Sequence, residues 1–434
     1  MSKTINIALL GLGTVGQGIV NVLKENNHEI SQKVGFPINI KTVLVRNIEK
    51  AKAFDASLNL TTDFSDIIND AEINIVVEVM GGENPARQYM LQALQAKKHV
   101  ITANKDVVAL HGREMFEAAT AHKVDFMFEA SVGGGIPIIR PLKQCLTANK
   151  ITEVMGIVNG TTNYMLTKMS NEGMDYNQVL KEAQEKGYAE SDPTADVGGL
   201  DAARKLAILS SIAFNTKVSL NDVYVEGITK ITPDDIKYAK ELGYVVKLLA
   251  IAKEGYSEPT SESISIEVRV HPAFISNKHP LSAVNDVFNA IYINGNAVGE
   301  AMFYGRGAGS LPTASAVVAD VIDVARNIVH DMSGRILCTC FEDKKIASID
   351  ESISSYYIRL LVKDEPGVLA LIAGAFGDQK VSLGSVIQKQ KLNNQAELVL
   401  LTGAISDVNI QKALTNIKSL NVVTEVYNVI RVEE

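Results

Sequence analysis

Cysteine is scarce in this chain, with three residues in 434: Cys145, Cys338 and Cys340. They are too few and too unevenly placed for a disulfide framework, which fits a reducing compartment. The Cys338-Thr339-Cys340 pair has no matching His or Cys pair to complete a metal site, so the three thiols are expected to be structural. Long apolar runs are missing as well. No uninterrupted stretch reaches the ~18 residues that a membrane-spanning helix needs. The apolar residues 5–20 are broken by Gly11, Gly13, Gly16 and Gly18, and they carry neither a basic lead nor a small-residue cleavage site. The expectation is a soluble, cytoplasmic protein with no membrane partner. Clusters of Lys and Arg are absent too, and a net charge of -8 with a pI near 5.5 argues against a nucleic-acid partner.

What is present suits buried cores: 46% of residues are hydrophobic and 21% charged, with no compositional sign of disorder. A chain of this length predicts roughly three domains. Residues 5–10 form an apolar strand that leads into Gly11-Leu12-Gly13-Thr14-Val15-Gly16 and a helical pattern over 17–24. In that context the glycines make a dinucleotide fingerprint. The first permits a tight turn, the second lets backbone approach a pyrophosphate, the third lets helix and strand pack, and the helix N-terminus faces the phosphates. The second strand, 38–45, ends in Arg46-Asn47 where an acidic residue would bind a ribose 2′-hydroxyl. Arginine suits a 2′-phosphate, which favours NADP with NAD possible. Strands at 73–79 and 99–102 around a helix at 85–96 indicate a parallel doubly wound sheet, and Lys105 follows one strand end, where ligands bind.

Ser131-Val132-Gly133-Gly134-Gly135-Ile136-Pro137 is a glycine turn that suits a cation, a close cofactor approach or a hinge. From 151 the pattern changes to strands (151–158, 244–252, 264–270, 297–304) and amphipathic helices (176–186, 201–214, 233–242), an α+β substrate and oligomerisation domain. Within it, residues 190–205 concentrate Glu190, Asp192, Asp196, Asp201, Arg204 and Lys205. Asp201 and Lys205 stand four apart in the favourable acid-before-base order, and a lysine so held is a candidate proton-transfer group; a solvated surface pair is the alternative. Gly305-Arg306-Gly307-Ala308-Gly309 before a helix at 313–329 suits cofactor approach through Gly307 and Gly309, or a simple linker. Residues 331–355 read as a connector. From 356 the order is β-α-β-β-α-β, a ferredoxin-like split arrangement.

Together these motifs resemble the homoserine dehydrogenase family with a C-terminal ACT domain, over essentially the whole chain. The carriers are the residue 11–16 fingerprint, Thr102-Ala103-Asn104-Lys105, Glu129 through Pro137, Asn159-Gly160-Thr161-Thr162-Asn163-Tyr164 and the residue 190–205 stretch. The resemblance implies a fold of three parts: a Rossmann-type parallel sheet (1–130, completed by a helix near 311–330), a middle α+β catalytic and dimerisation domain (131–310), and, after a linker (331–355), a ferredoxin-like ACT domain (356–434). It implies Lys205 as acid/base beside Asp201, substrate held by Glu190, Asp196 and Thr161, and cofactor against Gly11, Gly13, Thr14, Val15, Gly16, Arg46, Lys105, Gly307 and Gly309. Lys105 would lie near nicotinamide and substrate. A sodium ion would sit on Glu129 and the Val132, Gly134 and Ile136 carbonyls. An amino-acid effector, threonine, would bind at Asp364, Gly367 and Val368, unless the tail serves dimerisation alone. The implied reaction interconverts L-homoserine and L-aspartate 4-semialdehyde in a homodimer or homotetramer, and removal of the chain beyond Ser355 would leave activity and abolish effector sensitivity. Two rivals remain at the level of sequence: a thioester-forming semialdehyde dehydrogenase using Cys145, and a silent sensor that binds dinucleotide and amino acid.

Overall fold

Strand Ile5–Leu10 is the centre of a six-stranded sheet because it can be buried on both faces: five of its residues have no solvent exposure. The computed structural model describes residues 4–256, 264–390 and 394–434. It falls into two units, the first made of Met1–Val154, Arg204–Asn221 and Asn289–Asp343. The sheet order there is Leu60–Thr61, Ile38–Leu44, Ile5–Leu10, Ile73–Glu78, His99–Thr102, Phe126–Met127. Neighbours pair in parallel throughout, the doubly wound 3-2-1-4-5-6 order.

Its core joins Ile7, Leu9, Val77 and Ile101 of the sheet to Ile19 of helix Thr14–Glu25 and to Val317, Val321 and Val324 of the late helix Ser310–Val329. Each such side chain contributes about 1.5–3 kcal/mol on burial. Residues 331–343, expected to be a connector, dock onto this unit: Gly334 N–H donates to Asp125 Oδ1 at 2.8 Å and Glu342 N–H to the Asn215 carbonyl at 2.8 Å.

The second unit comprises Met155–Ala203, Asp222–Phe288 and Lys344–Glu434. Strands Tyr244–Tyr256 and Ile264–Ser276 form a long antiparallel pair. Both run past the expected ends at 252 and 270, and in the second the apolar residues continue through Phe274 and Ile275. The tail keeps the anticipated β-α-β-β-α-β order, with Val423–Glu433, Ile353–Lys363, Gln395–Thr402 and Leu383–Gln390 adjacent in that sequence. It is not joined by a flexible leash. Val423–Glu433 pairs in parallel with Ile264–Ser276 through Ala273 and Arg431, and Lys345–Ile346 adds to the same strand. Among the described residues no helix is long and apolar enough to cross a membrane.

Candidate active site

The Gly11–Gly16 turn owes its shape to contacts that exclude side chains. Gly11 has φ +103°, and a Cβ on Gly16 would lie 2.3 Å from the Gly11 carbonyl oxygen. A Cβ on Gly13 would meet nothing within 4 Å. The first and third glycines are therefore explained by packing, whereas the second opens onto free space, as a bound pyrophosphate requires. Thr14 begins the first helix, and its carbonyl accepts from Ser310 Oγ at 2.6 Å. Ser310 in turn begins the helix capped by Gly309, whose φ is +124°. Two helix N-termini thus meet at the turn, each presenting amides without intrahelical partners. Arg46 is exposed just beyond strand Ile38–Leu44, and Asn47 after it caps the next helix.

Gly307 and Gly134 have a more local cause. A Cβ on Gly134 would lie 2.4 Å from the Gly307 oxygen, and one on Gly307 would lie 1.9 Å from Asn289 Nδ2. Backbone contact between the two loops accounts for Gly134, and the Asn289 side chain accounts for Gly307. Glu129 is buried, and its carboxylate is taken up by three amides: Oε1 accepts from Ile138 at 2.6 Å and Ile139 at 2.8 Å, Oε2 from Arg140 at 2.7 Å. Those three bonds tie the Glu129 carboxylate to the segment that follows the glycine turn.

Lys105 opens helix Lys105–His122, capped by Asn104, whose Oδ1 accepts from Val107 N–H at 3.2 Å. Asn104 Nδ2 holds the Gly82 carbonyl at 2.6 Å, and its N–H donates to Thr102 Oγ1 at 2.9 Å. Behind them lies Glu78, which sequence reasoning missed. It is fully buried, accepts from Thr102 Oγ1 at 2.6 Å and from Met80 N–H at 2.7 Å, and burial pushes its carboxyl above the usual range. A lone acid ending an otherwise apolar strand was the available signal. Asp106 pairs with Arg204 at 3.2 Å, so Lys105 and Lys205 are neighbours of the two halves of one ion pair.

Lys205 lies on helix Leu200–Ala213, one turn after buried Asp201. Asn159, also buried, gathers the acids: Nδ2 donates to Asp196 Oδ1 at 2.7 Å and to Asp201 Oδ2 at 2.8 Å. Its Oδ1 meanwhile caps helix Gly160–Glu172 by accepting from Thr162 N–H at 2.9 Å. One neutral amide thereby holds two carboxylates from separate segments beside a helix N-terminus. Thr161 is present but its hydroxyl donates to the Tyr188 carbonyl at 2.5 Å, fixing the following turn. Glu190 is exposed on that turn, with its carbonyl accepting from Gln184 Nε2 at 3.1 Å. Cys145 is exposed.

The parallel sheet, the glycine turn and the facing helix N-termini define an NAD(P)-dependent oxidoreductase. Residues 11–129 match the family model described as the homoserine dehydrogenase NAD-binding domain, and residues 137–322 match the one described as homoserine dehydrogenase. The chain belongs to the homoserine dehydrogenase family: it is 44% identical over 434 residues to the enzyme of Bacillus subtilis, covering 99% of both chains. A solved homoserine dehydrogenase from Thiobacillus denitrificans superposes with TM-score 0.94 at 43% identity, covering 100% of this chain and 99% of that one. A hyperthermophilic archaeal homoserine dehydrogenase in complex with NADPH superposes with TM-score 0.62 at 26% identity, covering 74% of this chain and 97% of that one.

Proposed function

We propose that the chain interconverts L-homoserine and L-aspartate 4-semialdehyde, with Lys205 exchanging the proton at the substrate oxygen. The observation that carries this reading is the Asn159 amide holding Asp196 and Asp201 together, one helical turn ahead of that lysine. Bound nicotinamide supplies or accepts the hydride. In the reducing direction Lys205 protonates the developing alkoxide, a service worth about 10² to 10⁴ in rate, and its charge also stabilises that oxygen. Asp201 orients the ammonium. Asp196 and Glu190 complement the substrate's α-ammonium, and the Thr161 amide opening helix Gly160–Glu172 suits its carboxylate. Lys105, opening a second helix, is assigned to the nicotinamide and substrate. A homoserine and NADP assay at alkaline pH tests the reading: failure to generate reduced nicotinamide would overturn it in favour of a silent sensor.

The residues that suit the dinucleotide are Gly11, Gly13, Thr14, Val15 and Gly16, with Gly307 and Gly309 on the second loop. Exposed Arg46 supports NADP as the preferred form, since a guanidinium bonds a 2′-phosphate bidentately. Arg46→Ala is expected to raise the KM for NADP about 10- to 100-fold, the loss of a charged hydrogen bond, while the KM for NAD moves less than twofold. Equal losses for both cofactors would remove Arg46 from selection. A sodium ion on the Glu129, Val132, Gly134 and Ile136 carbonyls would brace the glycine turn against its neighbour loop.

The tail is read as an ACT domain that binds threonine. A cavity of about 360 Å³ is lined by Asp364, Glu365, Gly367, Val368 and Gln388 among others. Gly367, with φ +89°, caps helix Val368–Gly377, and Gln388 Nε2 reaches Asp364 Oδ1 at 3.3 Å. An amino acid's ammonium suits Asp364 and its carboxylate suits the helix amides. Asp364→Ala should weaken threonine inhibition at least tenfold with kcat unchanged, read from inhibition curves; unchanged sensitivity would move the effector site elsewhere. Exposed Met302 and Tyr304 alternate along strand Gly299–Arg306 and support a homodimer or larger assembly.

A further inference from the structure

Strand Ile73–Glu78 pairs with Ile5–Leu10, so the turn after it, residues 79–82, opens where the strand order reverses and a dinucleotide binds. That turn abuts the glycine fingerprint: a Cβ on Gly11 would lie 3.1 Å from the Val79 carbonyl oxygen and 3.2 Å from Met80 Cγ. Gly81 and Gly82 both have left-handed φ, +74° and +73°, and a Cβ on either would meet nothing within 4 Å. The next strand, His99–Thr102, is followed by a second turn that ends in Lys105, the first residue of helix Lys105–His122.

One carboxyl group holds both turns. Glu78 has no solvent exposure, and its two oxygens serve different partners. Oε1 accepts from Met80 N–H at 2.7 Å and from Gly81 N–H at 3.3 Å. Oε2 accepts from Thr102 Oγ1 at 2.6 Å, and that hydroxyl accepts in turn from Asn104 N–H at 2.9 Å. The Glu78 backbone carbonyl takes Ala103 N–H at 3.3 Å. Asn104 closes the circuit: Nδ2 donates to the Gly82 carbonyl at 2.6 Å, while Oδ1 caps the helix that Lys105 opens. Burying a carboxyl group is costly unless its oxygens are bonded, and each of these bonds ends on one of the two turns.

We propose that Glu78 is a positioning residue for hydride transfer: it locks residues 80–82 to residues 102–105 and so sets the Lys105 amine against the nicotinamide. The inference rests on the assignment of Lys105 to nicotinamide and substrate. Glu78 acts through the backbone of both turns and transfers no proton itself. Misplacing a reacting group by about 1 Å costs up to about 100-fold in rate, so loss of the shared acceptor is enough to be seen in turnover.

The test is a double-mutant cycle on the full chain, with kcat, the KM values for homoserine and NADP, and Tm measured for each variant. If Lys105→Ala turns over within about twofold of wild type, the Lys105 assignment fails and takes this proposal with it. Glu78→Ala should lower kcat at least about tenfold, whereas Glu78→Gln, which keeps an oxygen for the Met80 and Gly81 amides, should return to within about threefold of wild type. In the Lys105→Ala background Glu78→Ala should cost less than about twofold more, since the amine it positions is already gone. Thr102→Val breaks the same link at the hydroxyl and should behave alike in both backgrounds, which keeps the cycle readable where Glu78→Ala does not fold. Full additivity, or a Glu78→Ala protein that melts lower yet turns over like wild type, would overturn the proposal while leaving Lys105→Ala impaired.

Discussion

Lys205→Ala should lower kcat at least about 100-fold while the Kd for NADP moves less than twofold, because the lost proton transfer and charge belong to the transition state. The contrast between the two constants carries the weight. Lys205 lies one turn beyond Asp201, which is buried and bonded by Asn159 at 2.8 Å, whereas the dinucleotide turn at Gly11–Gly16 is formed by other segments. Lys205→Arg keeps charge but gives up a proton that can be transferred, so it should rescue little. Lys105→Ala is the control that separates the two amines: if it abolishes the solvent-deuterium effect on kcat and Lys205→Ala does not, the roles are reversed. Near-normal turnover in Lys205→Ala would remove that residue from the chemistry.

The glycine fingerprint was legible because its cause is local. Gly11 and Gly16 are required by a turn six residues long, so sequence spacing carries nearly all of the information. Asp201 and Lys205 were legible for the same reason, being one turn apart on one helix. Asn159 falls within a legible motif, but its task is not legible there, because it meets residues 37 and 42 positions away. Helix Gly160–Glu172 escaped the periodicity reading since its buried positions include Thr162, Asn163 and Thr167, which break the apolar stripe. Strand Phe288–Gly295 and helix Lys105–His122 were likewise unread. Gly134 and Gly307 also have packing causes that spacing does not show: a side chain at Gly134 would strike the Gly307 backbone, and one at Gly307 would strike the Asn289 side chain, contacts made across long stretches of sequence.

The strand Val423–Glu433 shows what cannot be read locally, and it changes the expected outcome of shortening the chain. Removal beyond Ser355 was expected to leave an active remainder. It would instead strip the partner from the Ile264–Ser276 edge and take away Arg359, the counterion of Asp235. Asp235 has no solvent exposure, and it accepts from Arg359 Nε at 2.9 Å, Tyr357 Oη at 3.1 Å and Asn428 Nδ2 at 2.9 Å, all supplied by the tail. Here the tail completes a buried ionic cluster, and a cut leaves charges stranded.

Arg359→Met isolates that effect without shortening anything. It leaves Asp235 and Glu397 buried with one counterion removed from both, since Arg359 Nη1 also reaches Glu397 at 3.1 Å. Breaking a buried pair from one side costs about 3–5 kcal/mol, and for a unit of this size each kcal/mol lowers Tm by about 2–4 °C. Melting of the second unit should therefore begin at least about 6 °C lower. Adding Asp235→Asn and Glu397→Gln removes the stranded charges while keeping most hydrogen bonds, and should recover at least half of the loss. An Arg359→Met protein that melts with wild type would mean that water or rearranged neighbours already neutralise Asp235. In that case the tail is separable after all.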